Sequence, residues 1–307
     1  MIEKRIVENV LEAALATGGD FSELFAEDTE QNNLVMTNGK VEEASYKRVS
    51  GAGVRVLDGA RCIYAYTSDT SEKALMETAK AAAQALKAER KCDPRPFEAV
   101  RRGAYEPEIP YDTVKNAQRI ALMRRGAEAA KAASPEITQV TTKYLDVDQR
   151  IMVANSTGVR AEDRRPRGRV FIQAVAMKDG EAQVGYRAPG RGEGFEQFRH
   201  YDMEKLGVTA AETAVRMLHA PECPAAGAVP VVIDGGFGGV ILHEACVHSL
   251  EATSVAKGNS EFCGKLGESV ASPIVTAVDD GTMPGERGSI RFDDEGTPSQ
   301  RNVLIEN

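Results

Sequence analysis

The stretch HEACVH holds the side chains best suited to metal chemistry in this sequence. His243 is followed at once by Glu244, and a second histidine, His248, stands five positions after the first. In a straight α-helix, positions five apart are rotated by about 140°, against about 40° for the i, i+4 spacing of the familiar zinc-protease motif. A π-bulge would bring the two histidines towards one face, but Val247 is β-branched and stiff. Spacing alone therefore leaves a metal site and a pair of ordinary helix histidines both open.

The residue types are nevertheless those of a hydrolytic metal site. Two neutral imidazoles suit Zn²⁺, and a catalytic site adds a third protein ligand and keeps its fourth position for water. Glu244 is the type of residue that takes a proton from such a water and passes it to a leaving amine. Glu251 lies seven positions beyond Glu244 on nearly the same helical face, so it either orients a ligand from behind or is a solvated glutamate.

Other thiol and acidic groups give weaker signals. The five cysteines form no C-x-x-C pair, which predicts neither a disulfide framework nor a zinc knuckle and favours a reducing compartment. Cys246 and Cys263 are nearest to the histidines, and neither is assigned as a ligand. The runs Asp279-Asp280 and Asp293-Asp294-Glu295 lack EF-hand spacing and are interpreted as turn-forming acids.

Charge and hydropathy argue against several functions. With 38 basic and 46 acidic residues the net charge is −8, unlike that of a protein that tracks nucleic-acid phosphates. The arginines at 164, 165, 167 and 169 are interpreted as a solvated turn. The charged N-terminal segment has no export signal, and no stretch approaches the roughly 20 apolar residues of a membrane span. We therefore expect a cytoplasmic protein without direct nucleic-acid or membrane contact.

The predicted elements come in the same order twice within residues 1–220. An amphipathic helix, strands around the Asn38-Gly39 hairpin turn and a helix with Asp69, Thr70 or Ser71 available as its N-cap form the first group. After a proline-rich connection at 90–110, a helix over 112–133, strand-like segments and a helix over 203–219 form the second. The predicted fold class is α+β, an antiparallel sheet with flanking helices built from two similar helix–strands–helix units. Beyond residue 220, VPVVID predicts a buried strand that leads into the motif helix.

The segment from Val231 to Asn307, above all HEACVHSLEAT and the following GKLGESVASPIVTAVDDGTMPGERGSIRFDDEGTPSQRNVLIEN, resembles the TldD branch of the TldD/PmbA family, also called modulators of DNA gyrase. GAGVRVLDG, in the strand-rich first part, resembles the family more weakly. The resemblance implies a zinc metallopeptidase with an H-E-x-x-x-H motif, in which His243 and His248 bind zinc and Glu244 is the general base for a metal-activated water. It also implies that residues 221–307 begin a mainly β metallopeptidase domain.

What is known of the family extends to substrates and partners. Its members act on unfolded or small peptides, including bacteriocin precursors and antitoxins, and enclose the active site in a dimer. The resemblance thus implies peptide maturation, an unfolded peptide substrate, and a homodimer or a heterodimer with a PmbA-like subunit.

Two departures from the family pattern bear on activity. The family usually has glycine at the position of Val247, and its third ligand is a cysteine near the end of a longer chain. We therefore expect the third ligand beyond residue 307 and an inactive 307-residue chain that binds zinc weakly. The alternative function is a non-catalytic, peptide-binding partner subunit of a TldD/PmbA-type complex.

Overall fold

The computed structural model describes residues 2–97, 100–102, 105–223 and 227–306. The chain forms two compact units, the first made of Met1–Ala220 with Thr282–Ser299 and the second of Pro221–Gly281 with Gln300–Asn307. Thr282–Ser299 follows residue 220 in the sequence but belongs to the first unit, so a single division at residue 220 does not describe the two units. The functional division into 1–220 and 221–307 stays a prediction. Within the described ranges, no helix has the length and apolar character needed to cross a membrane.

The first unit contains the order helix, strands, helix twice, with three strands in the first half and, among the described residues, four in the second. The elements of the first half are α1 (Lys4–Ala14), β1 (Phe21–Thr37), β2 (Lys40–Asp58), β3 (Arg61–Thr67) and α2 (Glu72–Leu86). After a short strand β4 (Val100–Arg102), those of the second half are α3 (Asn116–Ala132), β5 (Ile137–Asn155), β6 (Arg160–Lys178), β7 (Glu181–Arg187), β8 (Gly190–Arg191) and α4 (Met203–Leu218). The predicted α+β class, with a main antiparallel sheet and flanking helices, is confirmed.

The described strands of this unit form one sheet in the order β3-β2-β1-β5-β6-β4, with β7 and β8 also paired to β6. All neighbours are antiparallel except β4 and β6. The first strands of the two halves, β1 and β5, pair with each other from Glu23↔Asn155 to Thr37↔Thr141. This long central pairing joins the two halves into a single sheet.

Local sequence signals fix several boundaries of these elements. Asn38 and Gly39 have φ values of +48° and +80°, which the predicted tight turn between β1 and β2 requires. The hydroxyl of Ser71 accepts a hydrogen bond from the Ala74 N–H, so α2 begins with the predicted type of cap.

All four long helices pack on one face of the sheet. Leu24, Val54 and Ala154 pack against α1 and α2, whereas Leu34, Tyr144 and Ile172 pack against α3 and α4. These strand positions all have even numbers, and side chains two apart along a strand share a face. The long strands therefore carry two separate apolar cores on the helix face.

A buried ion pair lies at the second of these cores. Arg119 Nη2 and Asp146 Oδ2 are 2.8 Å apart, with side chains 3% and 1% exposed. Tyr144 donates its hydroxyl proton to the same oxygen at 2.7 Å, and Asn32 donates to the other carboxylate oxygen at 2.8 Å. The carboxylate is therefore fully hydrogen-bonded away from water, as a buried charge requires.

The predicted solvated turn at the arginines is wrong, because residues 164–169 lie inside β6. Arg165 is buried and pairs in register with Gln149 of β5. Pro166 fits there because, among the described residues, β6 has a second neighbouring strand only at 160–162, 168–169 and 172–178. The long-range pairing with β5 overrides the turn-like local composition.

The second unit contains short helices and, within the described residues, one two-stranded sheet. Its elements are α5 (Gly235–Leu242), α6 (Ala252–Ala256) and the antiparallel pair β9 (Ala277–Asp280) and β10 (Arg301–Ile305). The predicted buried strand at VPVVID is wrong, since these residues have no strand conformation and Val232 is 99% exposed. A strand exists only with a hydrogen-bonded partner, and none of the described strands pairs with this segment.

Candidate metal centre

The histidine motif lies where helix α5 changes its winding. Asp234 accepts a hydrogen bond from the Gly235 N–H at 2.9 Å and starts the helix, which is α-helical to Leu242. Residues His243–Val247 then form a π-turn, and His248–Leu250 a short 3-10 turn. The two histidines therefore stand at the two ends of the π-turn.

The π-turn brings the imidazole rings together despite their five-residue spacing. The backbone N–H of His248 donates to the carbonyl of His243, the i to i+5 bond that defines this turn. The ring centroids are 4.2 Å apart, with the ring planes inclined at 65°. The extra residue thus offsets the rotation that would separate the pair in a straight α-helix.

Val247 occupies the π-turn without backbone strain. At φ −68° and ψ −38° it has the ordinary right-handed helical conformation, which β-branched residues also adopt. Glycine is needed where φ is positive, and φ is negative here. The valine is therefore compatible with the convergence of the two histidines.

Glu244 completes a group of three potential metal donors. One ligand atom each from His243, Glu244 and His248 can be chosen so that all lie within 4.8 Å of one another. Glu244 Oε2 is 3.8 Å from His248 Nε2, and all three side chains are exposed. Among the described residues this is the one such group of histidine, cysteine, aspartate or glutamate side chains.

Glu251 contacts the far side of the second histidine. Its Oε1 lies 2.7 Å from Nδ1 of His248, so the other ring nitrogen, Nε2, is the one that faces Glu244. The helix has ended at Glu251, which has extended φ and ψ values of −60° and 132°. The contact arises from this turn of the chain next to His248 and not from a shared helical face with Glu244.

The other residues weighed from the sequence lie outside this group. The Cys263 thiol donates to the Val255 carbonyl at 3.3 Å, and neither Cys263 nor Cys246 belongs to the donor cluster. Asp279 and Asp280 end strand β9. Asp293 accepts hydrogen bonds from the N–H groups of Glu295 and Thr297, which is the behaviour of a turn-forming acid.

Comparison with known families assigns the chain. Three models of one family match it, namely the PmbA/TldA metallopeptidase domain 1 at residues 22–86, the central domain at 109–218 and the C-terminal domain at 226–307. The chain belongs to the TldD/PmbA family. The resemblance inferred from HEACVHSLEAT is confirmed, and the third of these models includes the whole donor group.

Curated relatives of this TldD/PmbA chain are named metalloproteases. A metalloprotease TldD homolog of Haemophilus influenzae is 33% identical over 295 residues, which cover 93% of this chain and 61% of the relative. A metalloprotease of Methanothermobacter thermautotrophicus is 32% identical over 94% of this chain and 63% of its own length. These names imply a metal cofactor in a metallopeptidase family, and the chain spans less than two thirds of either relative's length.

Solved structures share the fold of this family member. A Thermotoga maritima protein named as a candidate modulator of a DNA gyrase superposes with a TM-score of 0.74 at 20% identity, over 93% of this chain and 64% of that one. TldE from Thermococcus kodakarensis gives a TM-score of 0.72 at 17% identity, over 98% of this chain and 67% of that one. At sequence identities this low, the superpositions show that the fold is shared and nothing about the activity.

Proposed function

We propose that the protein is a zinc-dependent peptidase that hydrolyses unfolded or small peptides. The observation that carries this proposal is the π-turn, which places donor atoms of His243, Glu244 and His248 within 4.8 Å of one another. Two imidazoles beside a carboxylate are the donor set that zinc prefers over the oxygen-seeking cations Mg²⁺ and Ca²⁺. The metalloprotease names of the relatives support the same reaction class.

In this proposal His243 and His248 hold the metal. A bound Zn²⁺ would supply Lewis-acid polarisation of the scissile carbonyl and would lower the pKa of water. Two protein ligands are one fewer than catalytic zinc sites normally have, and the described residues add no third histidine or cysteine to the group. We therefore expect weak zinc binding and no peptidase activity from residues 1–307 alone.

Glu244 is the proposed general base. Its exposed carboxylate is free to accept a proton from the attacking water and to deliver it to the leaving amine. Glu251 is the proposed positioning residue. By accepting a hydrogen bond from Nδ1–H of His248, it keeps the lone pair on Nε2, the nitrogen that faces the donor group.

A test of the base is a pair of glutamate substitutions. Each substitution is made in a form of the protein that binds zinc and cleaves an unfolded peptide. We expect Glu244→Gln to lower this cleavage by about 100-fold or more, with the zinc content unchanged. Glu268→Gln, at an exposed glutamate in the same unit, is the matched control and should keep full activity. Undiminished cleavage by Glu244→Gln would show that Glu244 is not the base.

We further propose a cytoplasmic protein that matures peptides as a homodimer or with a PmbA-like partner subunit. The fold shared with TldE supports a TldD/TldE-type complex. The alternative is a peptide-binding subunit without catalysis, favoured by the two-histidine donor set. The two functions differ in metal dependence, because chelation followed by zinc should abolish and restore peptide cleavage by an enzyme, whereas peptide binding by a scaffold should not respond.

A further inference from the structure

On the face of the sheet opposite the helices, a half-buried arginine, Arg167, forms no ion pair with any residue in the part of the chain that the structure describes. Arg165 and Arg167 are two apart on β6, so their side chains share this face. Within the described residues, Arg165 forms ion pairs with Asp294 at 2.8 Å and with Asp163 at 3.6 Å. It also donates a hydrogen bond to the Phe292 carbonyl at 2.5 Å. No described residue forms a hydrogen bond or ion pair with the Arg167 guanidinium.

The strand register explains why no carboxylate of β5 faces Arg167. Its cross-strand neighbour on β5 is Val147, an apolar residue. The acids on either side of Val147 point to the helix face, where Asp146 pairs with Arg119 and Asp148 with Arg164. The alternation of side chains along β5 thus places the carboxylates of Asp146 and Asp148 on the helix face, away from Arg167.

A third arginine approaches the same place from Thr282–Ser299. Strand β8 pairs with Gly168 and Arg169 of β6, and Gly192, which follows β8, accommodates the returning segment. A Cβ atom at Gly192 would lie 3.8 Å from the Cα of Arg287. The exposed Arg287 is thereby held beside the part of β6 that carries Arg167.

The arginines on this face outnumber the carboxylates that act on Arg167, which favours an anion there. Burial lowers the pKa of Arg167, and the positive charges of Arg165 and Arg287 lower it further, whereas the more weakly acting carboxylates of Asp294 and Asp163 raise it. A partly buried guanidinium that forms no direct ion pair carries a desolvation cost, and an incoming oxyanion would offset that cost. The planar fork of arginine matches a carboxylate with two parallel hydrogen bonds.

We infer that Arg167, assisted by Arg287, binds a carboxylate of a peptide chain. The choice of a peptide as the carrier of that carboxylate rests on the proposed peptidase function. The carboxylate comes from the C-terminus of the peptide or from an aspartate or glutamate side chain, and both offer the same planar pair of oxygens. The site would bind the C-terminal carboxylate or an acidic side chain of an unfolded peptide through an ion pair with two parallel hydrogen bonds.

The test is calorimetric titration of the protein after its metal has been removed with EDTA and the EDTA has been dialysed away, so that metal at the histidine motif cannot bind the probe and the chelator's carboxylates cannot compete with it. The probes are a neutral N-acetylated hexapeptide with a free C-terminal carboxylate, its C-terminal amide, the amide with one internal glutamate, and inorganic phosphate. Arg167→Gln is the test variant, Arg167→Lys keeps the charge, and Arg216→Gln removes an exposed arginine on α4 as the matched control. Circular dichroism confirms that each variant is folded.

We expect the carboxylate peptides to bind at least about tenfold more tightly than the neutral amide, and Arg167→Gln to remove this preference. Arg167→Lys should keep part of it, and Arg216→Gln should leave it unchanged. The carboxylate probe that binds more tightly identifies the source. Equal binding of all peptides, equal effects of Arg167→Gln and Arg216→Gln, or tighter binding of phosphate than of either carboxylate would each overturn the inference. Because no metal and no cleavage are involved, a failure of this test is distinguishable from a failure of the peptidase proposal, which the Glu244→Gln variant tests.

Discussion

Nδ1 of His248 lies 2.7 Å from Oε1 of Glu251, at the point where the motif helix ends. A carboxylate behind a histidine fixes which ring nitrogen carries the proton. In the proposed metal site it would leave Nε2, 3.8 Å from Glu244 Oε2, as the nitrogen with a free lone pair.

Removal of this carboxylate should weaken zinc binding. We expect Glu251→Ala to lower zinc affinity by about tenfold or more, and Glu251→Gln to keep most of it, because the amide oxygen still accepts from Nδ1–H. Competition with a chromophoric chelator measures the affinity, and ¹⁵N NMR of the metal-free protein measures the His248 tautomer. Glu261→Ala, at an exposed glutamate of the same unit, is the control. An unchanged tautomer in Glu251→Ala would contradict the positioning role.

Substitution of Val247 by glycine should loosen the π-turn without improving the site. Because Val247 already has a helical φ of −68°, glycine only adds flexibility, at a cost of about 1 kcal/mol. Hydrogen exchange of the His248 amide should accelerate about fivefold, and zinc affinity should not rise. Val247→Ala is the control for loss of the side chain alone. A gain in zinc affinity on Val247→Gly would mean that the valine strains the turn.

The buried ion pair of Arg119 and Asp146 should dominate the stability of the second core. Arg119→Met leaves a carboxylate 1% exposed without its cation, and we expect it to cost about 3–5 kcal/mol of unfolding free energy. Arg199→Met removes an arginine from the exposed pair with Glu108 and should cost at most about 1 kcal/mol. Urea denaturation followed by circular dichroism compares the two. Similar losses in both variants would refute the difference between buried and exposed pairs.

Glu23 should make the first unit less stable as pH rises. Burial raises the pKa of Glu23 above the ordinary 4.5, although Arg55 acts in the opposite direction. The folded state therefore binds the proton more tightly than the unfolded state, and this contribution is present below pH 4.5 and lost as pH rises through the folded pKa. Glu23→Gln cannot ionise, so its stability relative to the parent should increase from pH 4 to pH 7. Urea denaturation at both values tests this, and a difference that is constant with pH would contradict it.

Local sequence signals determined several elements of the first unit. The apolar residues Leu75, Ala79 and Ala82 recur at helical spacing and are buried in α2, and Asn38-Gly39 forms the hairpin turn. The three potential metal donors could also be recognised from local sequence, because His243, Glu244 and His248 lie in one window of six residues. Such features depend on neighbours along the chain, so their pattern is visible in the sequence.

Tertiary structure decided the features that depend on distant partners. The arginines at 164–169 have the composition of a turn, yet they lie in a strand because β5 pairs with them, whereas VPVVID has the composition of a strand and no described strand pairs with it. The sequence also did not decide the type of turn in the motif helix, since an α-turn and a π-turn around Val247 are both compatible with HEACVH. Local composition sets the preference of a segment, but hydrogen bonds to residues far along the chain select the conformation that forms.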